Sequence, residues 1–460
     1  MNVNDLLLND RLDAFTDVVN EIIVSNLQSG KVHPQLEPYQ QFEIEDFSYS
    51  DHGPNYTRST AKNLSKENWM RASFFLSDII FKMDEYRSVK DFIRQNHANH
   101  NAAHQFEQYT FQLFAILLKN RRGFLLTDYN EHKRKLFQEI NLQPLQSKTV
   151  VNLFGVLLEA PDIKLADGIK LRQTVKADLE QPRGIEDNHP FLGMPSAILE
   201  IELLLMHEEH ASVHHKVTKY VKLLRLYQTG SVSYNSYWIH FDRLTSTGQG
   251  MGTPSQLVHP WAKYCIRKID QDTFLHFINY LPTSSALFSE NKKDNYITTA
   301  FDRFSESLLE KLTIEKRIAN VIMGIEALLS NDSFELKFRM QTRTSKLMAN
   351  LGFEPIVVRN QINKAYDIRS KFAHGGYLTE KNKSDLEKNV GNINDFTLSV
   401  VSYLRILIII SLVCKIDKTG LLNLVDDALV DDNKAIELKS ILEPVHEFII
   451  SANSKSTTPA

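Results

Sequence analysis

The sequence predicts a mainly α protein: a helical N-terminal region, a small α+β region, and a C-terminal bundle of helices. Three observations predict it. Apolar residues recur at helical spacing near the N-terminus, short strand-like segments replace that period from about residue 150, and helical pieces return from residue 295 onward. The chain has 460 residues, 42% hydrophobic and 24% charged, which is ordinary globular material with room for more than one core.

In chain order, residues 4 to 28 place Leu7, Leu8, Leu12, Phe15, Val18, Val19, Ile22 and Ile23 on one helical face, and Ser29-Gly30 ends it. A polar connection bearing Pro34, Pro38 and Pro54 then runs to about Leu64 with no sustained period. Two longer helices are expected at Lys66 to Arg94 and Ala102 to Lys119, which makes 1–140 a helical region. Residues 141–290 form the α+β region, with a regulatory or sensing role expected. Strand character lies in Val150 to Leu158, Ala197 to Leu205 and Val232 to Phe241, and a helix is expected over Val217 to Tyr227.

Residues 291–420 return to helix in four pieces: Tyr296 to Ser330, Phe334 to Asn350, Pro355 to Phe372, and Lys383 to Ile416. Short breaks between them suit an antiparallel bundle. Residues 421–460 add an acidic amphipathic segment that frays after Ser451.

Composition excludes several classes. A net charge of −3 is wrong for a protein that coats nucleic acid non-specifically, so any such contact must be local. Two distant cysteines, Cys265 and Cys414, offer neither a zinc pattern nor a disulfide framework, and a reducing, cytoplasmic setting is expected. The N-terminus lacks the charged start and apolar stretch of a secretory signal. The apolar run Leu398 to Ile416 approaches membrane-span length but carries Arg405, Ser411 and Lys415, so a core helix is expected and no membrane partner. Gly248-x-Gly-x-Gly252 lacks the Gly-Lys-Ser/Thr ending of a phosphate loop.

The stretch richest in chemistry is Tyr366-Asp-Ile-Arg-Ser-Lys-Phe-Ala-His-Gly-Gly376. It reads as a helix running out, with Pro355 at its first turn and a glycine pair at its end. On an ideal helix Arg369 and His374 lie about 140° apart, because five residues advance roughly 500°. They converge only if the helix stops near Ala373 or the arginine reaches round. As a bare pattern the pair carries little, since Arg94/His100 and Arg183/His189 also match and 16 histidines make chance pairs common. Context separates this pair from the other two: a helix end, a glycine break and neighbouring helices.

With that context the sequence resembles the HEPN superfamily, most closely its ApeA-like branch, over about 295–416. Three ordered pieces carry the resemblance: Glu315-Lys-Arg-Ile followed by Gly324-Ile-Glu-Ala-Leu-Leu329, Glu335-Leu-Lys-Phe-Arg-Met with Lys346-Leu-Met348, and the Arg369/His374 motif. Leu165 to Arg172 and Lys222 to Gly230 look like phrases found upstream of such domains. The resemblance implies a four-helix HEPN bundle and a metal-independent endoribonuclease without a cofactor, of the prokaryotic antiviral defence or toxin kind. It implies RNA as partner, transfer RNA among the candidates, a homodimer whose motifs face each other, and a regulatory partner from phage or host. The family often has Asn, Asp or His after the arginine, where this chain has Ser370, which can hydrogen-bond but not titrate.

The residue chemistry agrees with cleavage by the RNA 2′-hydroxyl, which needs proton transfer and stabilisation of extra negative charge. Histidine, with an ordinary pKa near 6.5, suits His374 as acid or base. Arginine stays charged and offers a planar fork to phosphate oxygens, which suits Arg369. Glu326, Asp367, Ser370 and Tyr377 are the supporting candidates. Set against this, Arg369 simply pairs with Glu326 or Asp367 and His374 caps a helix, in a non-catalytic module that binds RNA or dimerises.

Arg339, Arg343 and Lys346 recur at spacings that share one helix face, and with Lys371 they are the candidates for holding RNA phosphates. Lys337 and Lys364 lie close in sequence. Tyr366 and Tyr377 flank the motif, where an aromatic can stack on a splayed base. Two histidine clusters allow a third, metal-dependent reading: His97, His100 and His104, which one helix would align, and His207-Glu-Glu-His210 with His214-His215, which lacks the spacing of a zinc protease helix.

Overall fold

In a computed structural model, the described residues are 3–32, 42–50, 53–60, 66–119, 126–180, 195–205, 210–242, 244, 248–251, 264–281, 286–288, 295–309, 312–331 and 334–453. Among them the chain is mainly helical with a small sheet region. The N-terminal part contains α1 (Val3–Gln28), a hairpin of β1 (Phe42–Ser50) and β2 (Gly53–Thr60), then α2 (Lys66–Ile80), α3 (Asp84–Asn96), α4 (Ala102–Lys119) and α5 (Leu126–Ile140). Leu8, Leu12, Phe15, Phe106, Tyr109 and Phe114 close a core of their own there.

Two expectations change in this part. The proline-bearing connection holds a hairpin, whose period of two is broken by a register shift between Glu45 and Ser48, so no sustained alternation shows in the sequence. The helix expected over Lys66 to Arg94 is two helices, because the chain turns after Ile80 and Met83 is extended before the acidic first turn Asp84-Glu85.

The α+β region follows as β3 (Leu145–Phe154), β4 (Leu157–Leu158), β5 (Asp162–Ala166), β6 (Ile169–Gln173), α6 (Lys176–Glu180), β7 (Ala197–Leu205), α7 (His210–Tyr227), β8 (Ser233–Phe241), β9 (Gly248–Met251), β10 (Cys265–Ile266) and α8 (Gln271–Tyr280). Six strands form one antiparallel sheet in the order β5-β6-β7-β3-β8-β9, and β4 pairs with β10 in parallel. Val151, Leu153, Leu171, Leu199 and Ile239 are buried in one cluster with Val213, Val217 and Leu224 of α7. Of the glycine-spaced segment, Gly248–Met251 form the edge strand β9, paired with β8, and Gly252 lies outside the described residues.

The helical remainder comprises α9 (Tyr296–Leu309), α10 (Ile314–Leu329), α11 (Leu336–Asn350), α12 (Pro355–Ala373), α13 (Glu380–Val390), α14 (Ile393–Val413), α15 (Lys418–Asp427) and α16 (Asp432–Asn453). Two of the four expected pieces are each divided: Thr313 caps a new helix inside the first, and Asn392 caps one inside the last. Helix α10 packs against α9, α11, α12 and α14. At Gly324 a Cβ would stand 2.7 Å from Leu404 Cδ2, so a side chain there would collide with α14.

Helix α14 is the one described helix long and apolar enough to cross a membrane, yet 72% of its apolar window is buried inside the protein. Its Arg405 is buried and donates to the carbonyls of Leu226 and Tyr227, both at 2.8 Å, which caps the end of α7. Ser231 likewise donates to the Leu308 carbonyl at 3.0 Å. The sheet region and the helical bundle therefore share one core, continuous from Val151 to Ile449, although their sequences differ in character at residue 290.

Candidate active site

Helix α12 starts on Pro355 and closes with a Schellman motif. The Gly376 N–H donates to the Lys371 carbonyl and the Gly375 N–H to the Phe372 carbonyl, both at 2.9 Å. Gly375 has φ +78°, a left-handed conformation that glycine reaches without strain. His374 is the capping residue, at φ −95° and ψ 18°, and it is exposed. The helix thus ends at Ala373, where the glycine pair predicts it. Beyond the turn, the Leu378 N–H donates to Glu315 Oε1 at 3.1 Å, which ties this segment to α10. Burial pushes the Glu315 carboxyl up, but hydrogen bonds from its own and the Leu378 N–H and from Thr313, with the Lys383 charge, hold it below the ordinary range.

Arg369 lies five residues before the cap and turns toward α10. Its Nη2 donates to Glu326 Oε2 at 3.1 Å, and its guanidinium carbon sits 5.7 Å from the centre of the Tyr366 ring. Both partners of the pair are largely shielded, with side-chain exposures of 28% for Arg369 and 17% for Glu326. Burial pushes the Glu326 carboxyl up, against the opposing Arg369 charge and hydrogen bond. Its Oε1 is buried with no hydrogen-bond partner. Asp367, the other possible partner of Arg369, is bound by Lys337 at 2.6 Å. Ser370 is half-buried on α12.

No protein-family model, curated protein or solved structure matches the chain.

No hydrogen bond or ion pair joins Arg369 to His374: the arginine engages α10 and the histidine stands at the helix end. Tyr377 is 69% exposed and meets Phe372 edge-on, with ring centres 6.5 Å apart. Tyr366 is half-buried and packs against the core.

The expected basic row is corrected at its centre. Arg343 is buried and donates through Nε and Nη2 to Asp426 at 2.8 and 2.6 Å, and through Nη1 to the Leu329 carbonyl at 2.5 Å. It ties α11 to α15 and to the end of α10, so it presents no guanidinium to RNA. Helical spacing gave it the same face as Arg339 and Lys346 but carried no sign of the helix packed there. Arg339 and Lys346 are half-buried, and Lys371 is exposed. Glu315 and Asp426 fix this part of the structure without being among the candidates that the sequence suggests. Glu315 lies in the first of the three ordered pieces, whereas Asp426 sits in a different helix and gives no local signal.

The metal readings lose their geometric basis where they can be inspected. His97 ends α3, His100 lies in the turn and His104 is on α4, so no single helix aligns them, and His104 faces Glu107 at 3.4 Å. No group of three or more metal-ligating side chains occurs among the described residues. His207 lies outside the described residues, and so do Arg183 and His189.

Proposed function

We propose that the chain is a metal-independent endoribonuclease of the HEPN kind, acting by 2′-hydroxyl transesterification. The observation that supports it most is the end of α12, where a Schellman turn holds an exposed histidine five residues after an arginine anchored by a shielded carboxylate. A phosphodiester needs two things from this end: a proton carrier and a fixed positive charge. His374 supplies the first, exposed to an incoming strand. Arg369 supplies the second, and its anchoring to Glu326 limits the rotamer freedom lost when it meets a phosphate.

In the reaction the 2′-hydroxyl loses its proton and its oxygen attacks the adjacent phosphorus. The bond to the 5′-oxygen breaks, and that oxygen takes up a proton, leaving a 2′,3′-cyclic phosphate and a 5′-hydroxyl end. His374 of one subunit moves one of these protons, and in a homodimer the second subunit's motif completes the site. Lys371, Arg339 and Lys346 contribute positive charge on the approach. In this reading the protein is a cytoplasmic defence or toxin effector whose first 290 residues restrain or trigger the bundle.

One observation favours a second reading. The Arg369–Glu326 pair already gives the arginine a structural task, tying α12 to α10, as a non-catalytic RNA-binding or dimerisation bundle would use it. A single 2′-deoxy nucleotide separates the two. Placed on the 5′ side of a mapped cleavage position, it abolishes cutting there if the 2′-oxygen is the nucleophile, whereas RNA binding without any cutting supports the second reading.

A further inference from the structure

A second helix with one-sided charge, besides the basic row of α11, lies far along the chain from α12. Helix α7 carries His210, His214, His215, Lys216, Lys219, Lys222 and Arg225 and no aspartate or glutamate, within a chain of net charge −3. Its apolar side is spent in the core through Val213, Val217 and Leu224.

Several of these side chains have tasks. Lys222 donates to the Leu287 carbonyl at 2.6 Å, Arg225 donates to the Val232 carbonyl at 2.8 Å, and His214 lies 3.5 Å from the Tyr237 hydroxyl. Lys216 and Lys219 meet no carboxylate among the described residues. Both are half-buried, as is His215, which stands four residues before Lys219 and shares its stripe. Burial and the neighbouring Lys216 charge both push the Lys219 ammonium down. A shielded ammonium beside another of like sign is costly unless an anion joins them.

We infer that the outer face of α7 is a second nucleic-acid contact, taking the phosphodiester backbone of RNA on His215, Lys216 and Lys219. A lipid surface fits less well, because a membrane-bound basic helix needs an apolar side to insert and α7 has buried its own. The bonds from Arg405 to the last carbonyls of α7 fix this face relative to α14, so a strand held here has a set position on the bundle. The inference rests on the reading of the chain as an RNA-acting protein, but it concerns binding alone and stands apart from cleavage.

The test is fluorescence anisotropy of a labelled single-stranded RNA with the full chain carrying His374→Ala, in chelator, over a series of salt concentrations. Lys216→Glu with Lys219→Glu is compared with Lys31→Glu and Lys439→Glu, an equal change of net charge at two exposed sites. The expected result is weaker binding for the α7 pair only. Its slope of log affinity against log salt should fall by roughly 1.4, two contacts at about 0.7 each for a single strand. Lys216→Arg with Lys219→Arg should keep the affinity. Equal weakening by both charge-reversed pairs, or no RNA binding by the parent chain, overturns the inference. So does a loss confined to anionic phospholipid vesicles. If charge reversal unfolds the chain, Lys216→Gln with Lys219→Gln carries the same comparison.

Discussion

Arg369 of α12 donates to Glu326 of α10 across 3.1 Å, and the second carboxylate oxygen of Glu326 is buried with no partner. The pair makes the arginine's direction a property of two helices. It also leaves the carboxylate under-satisfied, which agrees with the upward push on its pKa.

The sign of that shift makes the stability of the pair depend on pH. A carboxyl raised above its unfolded value favours the folded state most when protonated, and this contribution fades as pH rises through the folded pKa. Glu326→Gln cannot titrate. The Tm of this variant minus that of the parent should therefore increase as pH rises from about 4.5 toward neutrality, in scans at matched ionic strength. A difference independent of pH would mean that Glu326 titrates alike in both states.

Arg343 should behave as a structural residue. Arg343→Ala removes three charge-assisted hydrogen bonds and leaves Asp426 and the Leu329 carbonyl without their partner, for a loss of about 2–4 kcal/mol in urea unfolding. Arg343→Lys should recover little, because an ammonium cannot reproduce the fork on Asp426. RNA affinity per folded molecule should not change.

Gly375→Ala places a Cβ on a left-handed residue and should cost about 1–2 kcal/mol. Its effect on activity should exceed its effect on Tm, since the turn it strains sets where the His374 ring stands. An NMR probe of the histidine ring would report the displacement.

The shared core predicts how the regions melt. Leu199→Ala, in the middle of the sheet, should cost about 3 kcal/mol and lower the transition that carries the bundle helices. The N-terminal core, closed around Phe15 and Phe106, should keep its own melting temperature in the same calorimetric scan.

What the sequence made legible was local and periodic. Residues Ala197 to Leu205 and Val232 to Phe241 read as strands and match β7 and β8 within a residue. The end of α12 was legible because two glycines announce a turn wherever they fall. The β1–β2 hairpin was not, because a bulge breaks its alternation. Arg343 was misread because its spacing places it on a helix face without naming what packs on that face. Only α15, 83 residues on, supplies Asp426. The break between α9 and α10 falls inside a stretch whose apolar stripe runs on either side of Thr313, so periodicity alone did not divide it. Arg369 and His374 could be named from the sequence, but their separate directions depend on Glu326 and on the cap geometry.

In the proposed reaction His374 moves a proton during RNA cleavage that needs no metal. Its most direct test is the initial cleavage rate of total RNA by the full chain in EDTA, beside His374→Ala and Arg369→Ala proteins with unchanged far-UV spectra. The expected result is chelator-resistant cutting by the parent with 2′,3′-cyclic phosphate ends, and a fall of at least about 100-fold in each variant. Cleavage that survives His374→Ala, or that EDTA abolishes and zinc restores, would contradict it.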